Sequence, residues 1–166
     1  MAYTTPRTWT AGETVTAAMM NSDVRDNVAD VYSKARTKTI SIEAINWEEP
    51  TYKGTAHRWV VPAVLNGGVV TAAEAAISTA GTAGTVAMQV ERVRGTAVAS
   101  MLSTTAKIDA TELTSYTGTS GAINATYQGL ATGDWLNIVV ADHGGGTATA
   151  NAGQKGLFAI LTVTIS

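Results

Sequence analysis

Two hydrophobic periods divide the chain, a helical one near the N-terminus and an alternating one from residue 39 onward. Between Val15 and Lys34, the positions Ala17, Met20, Val24, Asn27 and Val31 recur at spacings of three and four, as in a coiled-coil seam. Val28 widens that stripe, and Asp23, Arg25, Asp26, Asp30 and Lys34 take the other faces. Asp30 and Lys34 form a favourable i, i+4 pair. Thr14 or Thr16 is placed to cap the first turn by accepting an orphan amide. A short valine-rich helix is marginal alone in water, so its apolar stripe must be covered. Two covers satisfy the pattern: the chain's own β domain, or copies of the same helix with Asn27 setting the register. Met20, Val24, Asn27, Val28 and Val31 are the candidate oligomerisation residues.

After Thr37 the period becomes two. Ile40, Ile42 and Ala44 alternate with Thr39, Ser41 and Glu43, which predicts a strand. Trp47 follows, then a turn around Glu48, Glu49 and Pro50. Arg58 to Val61 reads as a short strand closed by Pro62, with Asn66-Gly67-Gly68 as a turn. Further strands are predicted at Val69 to Ile77, Thr85 to Val93, Val98 to Leu102, Ala106 to Asp109, Ala122 to Tyr127, Trp135 to Ala141 and Leu157 to Ile165. Ala72 to Ala76 also suits one helical turn. Glycine-bearing turns separate these runs. About eight to ten short strands at near-regular spacing indicate an antiparallel β-sandwich. The absence of strand-helix-strand alternation argues against a parallel α/β sheet.

Ahead of the helix, residues 1–14 show neither period and hold Pro6, Arg7, Trp9, Gly12 and Glu13 among threonines. Such a polar tail with one large aromatic either frays or orders against a partner. The organisation is an extended tail at 1–14, a candidate for docking, a helix and linker at 15–38, a candidate for oligomerisation, and a β-sandwich at 39–166.

Composition changes this picture in one direction. The 166 residues carry a net charge of -2, only 14 % charged residues, and no cysteine. Disulfides, thiolate metal sites and cysteine nucleophiles are thereby excluded. Without a basic cluster, neither nucleic acid nor an anionic membrane surface has an electrostatic handle. No apolar run reaches the roughly 20 residues of a membrane span, and the N-terminus lacks the pattern of a secretory signal. Synthesis in the cytoplasm follows as the expectation.

Candidate chemistry is sparse. The two histidines, His57 and His143, are far apart and show no metal-ligand spacing. No Gly-x-Ser-x-Gly elbow is present, and Gly144-Gly145-Gly146 lacks the lysine of a phosphate loop. The scattered carboxylates form no pair that a glycosidase would need. The expectation is a non-enzymatic protein with no cofactor and no metal. Among the aromatics, Trp59 and Trp135 sit in strand patterns and are expected in the core. Trp47 and Tyr52, beside a turn, are the candidate glycan-stacking residues.

One segment carries a resemblance. Pro6-Arg7-Thr8-Trp9, Gly12-Glu13, Val15-Thr16-Ala17, Asn21 and Arg25-Asp26-Asn27 resemble, in order and spacing, a motif at the start of many tailed-bacteriophage virion proteins. In that family the motif precedes β-rich domains of fibres, spikes, decoration proteins and minor tail proteins. Val60-Val61-Pro62, Leu65-Asn66-Gly67 and the closing apolar strand are similar, more loosely, to the jelly-roll-like domains that follow. The resemblance implies that Pro6, Arg7, Trp9, Gly12 and Glu13 dock on a capsid or tail protein. It also implies that the helix joins copies, three being common in such particles, and that the β domain projects from the virion surface. The short chain favours a capsid decoration or short head spike. A tail fibre or minor tail protein with a host-glycan-binding β module is the alternative.

Overall fold

In the computed structural model, residues 8, 10–143 and 153–165 are described. The chain divides into two units, Met1–Thr37 and Lys38–Ser166. The first holds α1 (Ala17–Met20), a π-helical segment (Asn21–Asp26) and α2 (Asn27–Arg36), which run on as one helix. The second is built from β1 (Thr37–Pro50), β2 (Gly54–Val60), β3 (Val69–Ala76), β4 (Val86–Arg94), β5 (Ala97–Ser100), β6 (Leu102–Thr104), β7 (Ala106–Ile108), β8 (Ala122–Ile123), β9 (Trp135–His143) and β10 (Lys155–Thr164).

These strands form a three-stranded sheet in the order β1-β10-β3, a five-stranded sheet in which β7 joins β2-β9-β4-β5 by pairing with β4, and a small β6-β8 ladder. Every ladder with a defined register is antiparallel. The two larger sheets share one core. Leu157, Ala159, Leu161 and Val163 of β10 meet Val86, Met88 and Val90 of β4 and Leu136, Ile138 and Val140 of β9 in a single buried cluster. The antiparallel sandwich read from the alternating pattern is thus present, and the jelly-roll likeness goes no further than this two-sheet build.

Several elements differ from the sequence expectation for local reasons. Glu48 to Pro50 continue β1 instead of turning. Ala72 to Ala76 lie in β3, because pairing with β10 outweighs their helical propensity. The run Val98 to Leu102 is broken into β5 and β6 at Met101, whose side chain is fully buried. Only Ala122 and Ile123 of the predicted Ala122–Tyr127 strand pair. The chain then turns, Tyr127 N–H donating to the Asn124 carbonyl at 3.0 Å and Thr126 N–H to Asn124 Oδ1 at 3.1 Å. Asn66-Gly67 does turn the chain, with Gly67 at φ +74° and Gly68 N–H bonded to the Leu65 carbonyl at 3.0 Å. That geometry needs a left-handed residue, which glycine adopts without strain.

The free edge of β3 is covered by loop backbone. Ile77, Ser115, Gly121 and Val70 engage the Leu113, Ala75, Ala73 and Gln128 carbonyls respectively. Close approach at Gly121 excludes a side chain, since an added Cβ would lie 2.8 Å from the Ala73 oxygen. Covering an edge in this way removes a template for pairing with other chains.

A charged clasp holds the loop that leads into β9. Arg94 donates from Nε to Asp134 Oδ1 at 2.8 Å and from an Nη to Oδ2 at 2.7 Å, while Ala131 N–H also donates to Oδ2 at 2.8 Å. Asp134 is buried and Arg94 half-exposed. The Arg94 hydrogen bonds, aided by the Ala131 amide and the charge of Arg92, hold the Asp134 carboxyl below its usual range. Its contribution to stability is therefore complete above the unfolded carboxylate value of about 3.9 and is lost as pH falls through the lower folded value. Asp134→Asn is expected to cost about 1–3 kcal/mol at neutral pH. In urea titrations, the gap between variant and wild type should close in strong acid, once the wild-type carboxylate is protonated.

Candidate functional site

The motif residues of the N-terminal unit build a local frame. Thr10 to Glu13 form a tight turn in which Glu13 N–H donates to the Thr10 carbonyl at 3.1 Å and Gly12 sits at φ +86°. The left-handed third position is the one a type II turn reserves for glycine. The Glu13 carboxylate then reaches back, Oε2 accepting from Thr10 N–H at 3.3 Å. Thr16, one of the two predicted caps, accepts from Met19 N–H at 3.3 Å, and its own amide donates to the Met19 sulfur at 3.4 Å. Gly12 and Glu13 thus shape the entry to the helix. Pro6, Arg7 and Trp9 lie outside the described residues.

The helix faces are the reverse of the usual arrangement. Met20, Val24, Val28 and Val31 are exposed, joined by Tyr32 at 62 %. Asn27 and Asp30 are buried. A soluble helix normally hides its apolar stripe and wets its polar one. A π-helical segment, Asn21–Asp26, lies between α1 and α2 in this helix. Met20, Val24 and Val28, spaced by four, and Val31 and Tyr32, three and four positions further on, are exposed, while Asn27 is buried. Of the five candidate oligomerisation residues, Met20, Val24, Val28 and Val31 are exposed. Asn27 is not among them, and sequence spacing missed Tyr32, whose ring lies 5.1 Å under the Arg36 guanidinium.

On the β domain, Trp47 in the last part of β1 and Tyr52 after the strand are both exposed. Trp59 packs on the core, opposite Leu136 in the β2-β9 ladder. The expectation for Trp135 is corrected: it is 46 % exposed. Leu136, Ile138 and Val140 take the core face of β9, and strict alternation sends Trp135, Asn137 and Val139 to the other. Polar Asn137 was the available signal, because a residue two positions away shares its face.

That outer face carries two rows across four strands. Val60, Trp135, Val93 and Val98 lie opposite one another on β2, β9, β4 and β5, and Arg58, Asn137, Glu91 and Ser100 form the next row. Directly opposed residues in antiparallel ladders project to the same side. A cavity of about 280 Å³ opens there, lined by Arg58, Val93, Gly95, Val98, Trp135 and Asn137. Asn137 is 5 % exposed, and its Oδ1 has no hydrogen-bond partner. Among the described residues, no three His, Asp or Glu side chains gather into a metal-binding group.

Comparison of the chain with protein-family models, with curated proteins and with solved structures finds no match.

Removing the helix cap tests the frame described above. Thr16→Ala is expected to destabilise the helix by about 1 kcal/mol. Circular dichroism should show lost helical signal with the strand signal and the cooperative unfolding of the β domain retained.

Proposed function

We propose that the chain is a non-enzymatic structural protein of a tailed-phage virion, a capsid decoration or short head spike that assembles through its N-terminal unit. The observation that carries this reading is the helix whose valines, Met20 and Tyr32 face solvent while Asn27 and Asp30 are buried. An apolar stripe of this kind is stable in water only when something covers it. Copies of the same helix supply a matching surface, three around one axis being the arrangement the resemblance implies. The motif from Pro6 to Asn27 supports a particle as the setting. In this reading Pro6, Arg7 and Trp9 dock on a capsid protein, with Trp and Arg supplying hot-spot contacts. The turn at Gly12 and Glu13 aims that tail from the start of the helix, and the β domain projects from the virion surface.

Replacing Val24 and Val28 together by Asp places charge on the exposed stripe and leaves the β-domain sequence unchanged. Sedimentation of the full chain is expected to show an oligomer for wild type and a monomer for the variant, with β-domain unfolding unchanged. A monomeric wild type, or an oligomer that survives the substitutions, removes the helix as the assembly element.

Quantifying the chain in separated heads and tails by mass spectrometry tests the location. Many copies on heads are expected. A few copies on tails would instead make it a fibre or minor tail protein, and absence from both would overturn the virion reading.

A further inference from the structure

We propose that the outer face of the five-stranded sheet binds a pyranose sugar, its ring stacked on Trp135 and its hydroxyl groups bonded to Asn137 and Arg58. Three observations on this face point to one ligand chemistry. Trp135 is spared from the core and half-exposed on a sheet surface, between Val60 and Val93 on the neighbouring strands. Indole faces in such positions offer a flat apolar platform with a polar edge. Asn137, on the same strand and the same face, is more than nine-tenths buried, and its Oδ1 accepts no hydrogen bond. A buried acceptor left without a donor is costly, and a hydroxyl entering the cavity beside it supplies that donor. Arg58, across the ladder from Asn137, lines the same cavity, and no hydrogen bond or ion pair holds its guanidinium among the described residues.

The ligand class follows from how these groups are ordered. The apolar row and the polar row run side by side, so the bound molecule must be amphipathic edge to edge. A sugar ring has an apolar C–H face for Trp135 and equatorial hydroxyls for the amide and guanidinium. An aliphatic ligand would leave Asn137 and Arg58 unmatched. A phosphorylated ligand would meet the Glu91 carboxylate in the same row as Arg58. The cavity, about 280 Å³, lies near the lower end of ligand-pocket sizes, which suits a single ring and not a protein surface. This site is separate from Trp47 and Tyr52, and it stands whether the chain occupies heads or tails.

The test is a titration of the isotope-labelled full chain with methyl glucoside, methyl N-acetylglucosaminide and methyl glucuronide, followed by nuclear magnetic resonance. At least one of the three is expected to shift the Trp135 indole N–H and the Asn137 side-chain amide together. Trp135→Ala, at an exposed position, should then weaken binding at least about tenfold with cooperative unfolding preserved. Arg58→Ala should weaken the neutral sugars as well, and the glucuronide, whose carboxylate meets Glu91, should bind no better than they do. The proposal is overturned if all three sugars leave both resonances unmoved, or if shifts are confined to Trp47 and Tyr52. It is also overturned if Trp135→Ala dissociates the oligomer without altering sugar binding, since the face is then a contact between copies. None of these outcomes alters the test of the N-terminal helix, which reads oligomer size in Val24 and Val28 variants.

Discussion

The register of β9 between β2 and β4 is the constraint on which both faces of the five-stranded sheet depend. Leu136, Ile138 and Val140 are fully buried, and each is paired on both sides by residues of neighbouring strands. Because side chains alternate, a slip of one residue would exchange that apolar row for Trp135, Asn137 and Val139. Burial of the first row therefore turns the second to the outer face, where Trp135 is 46 % exposed and Asn137 5 %. The cavity at Trp135 is in this sense a by-product of core packing, which Asn137 and Arg58 then furnish with hydrogen-bonding groups. The Arg94–Asp134 clasp supports the same register from outside, by fixing the loop through which the chain enters β9.

The N-terminal unit follows a different logic. Its local geometry is settled by short-range contacts: the turn at Gly12, the Glu13 carboxylate on Thr10, and Thr16 as cap. These determine where the helix begins. The result is an apolar face without a partner in its own unit. In the proposed virion role, folding and assembly are shared between copies. The β domain needs no such help, having a core supplied by both sheets.

Much of this architecture was legible in the amino-acid sequence because local periodicity reports burial directly. The alternation in β10, Leu157 to Val163 against Phe158 to Thr162, and in β4, Val86 to Val90, marked the core rows. Thr16 and the Asn66-Gly67 turn were legible for the same reason, since caps and tight turns depend on one or two residues. The exposed stripe of Met20, Val24, Val28 and Val31 was legible as a set. The burial of Asn27 was not, since its spacing places it within that stripe.

What only the tertiary structure decided concerns segments where both alternating sets are apolar, or where the partner is distant in the chain. Trp135 to Val140 is apolar at every position but Asn137, and Trp135 went outward with Asn137 because Leu136, Ile138 and Val140 packed in the core with β10 and β4. Ala72 to Ala76 became a strand because β10 was there to pair with it. Asn124 to Tyr127 left the sheet because Asn124 satisfied the turn from its own side chain. The row of Arg58, Asn137, Glu91 and Ser100 joins residues from four strands. Sequence alone determined that such strands exist and which residues each could offer. Their juxtaposition awaited the ladder order, since hydrogen-bonded pairing, unlike periodicity, is set between segments and not within them.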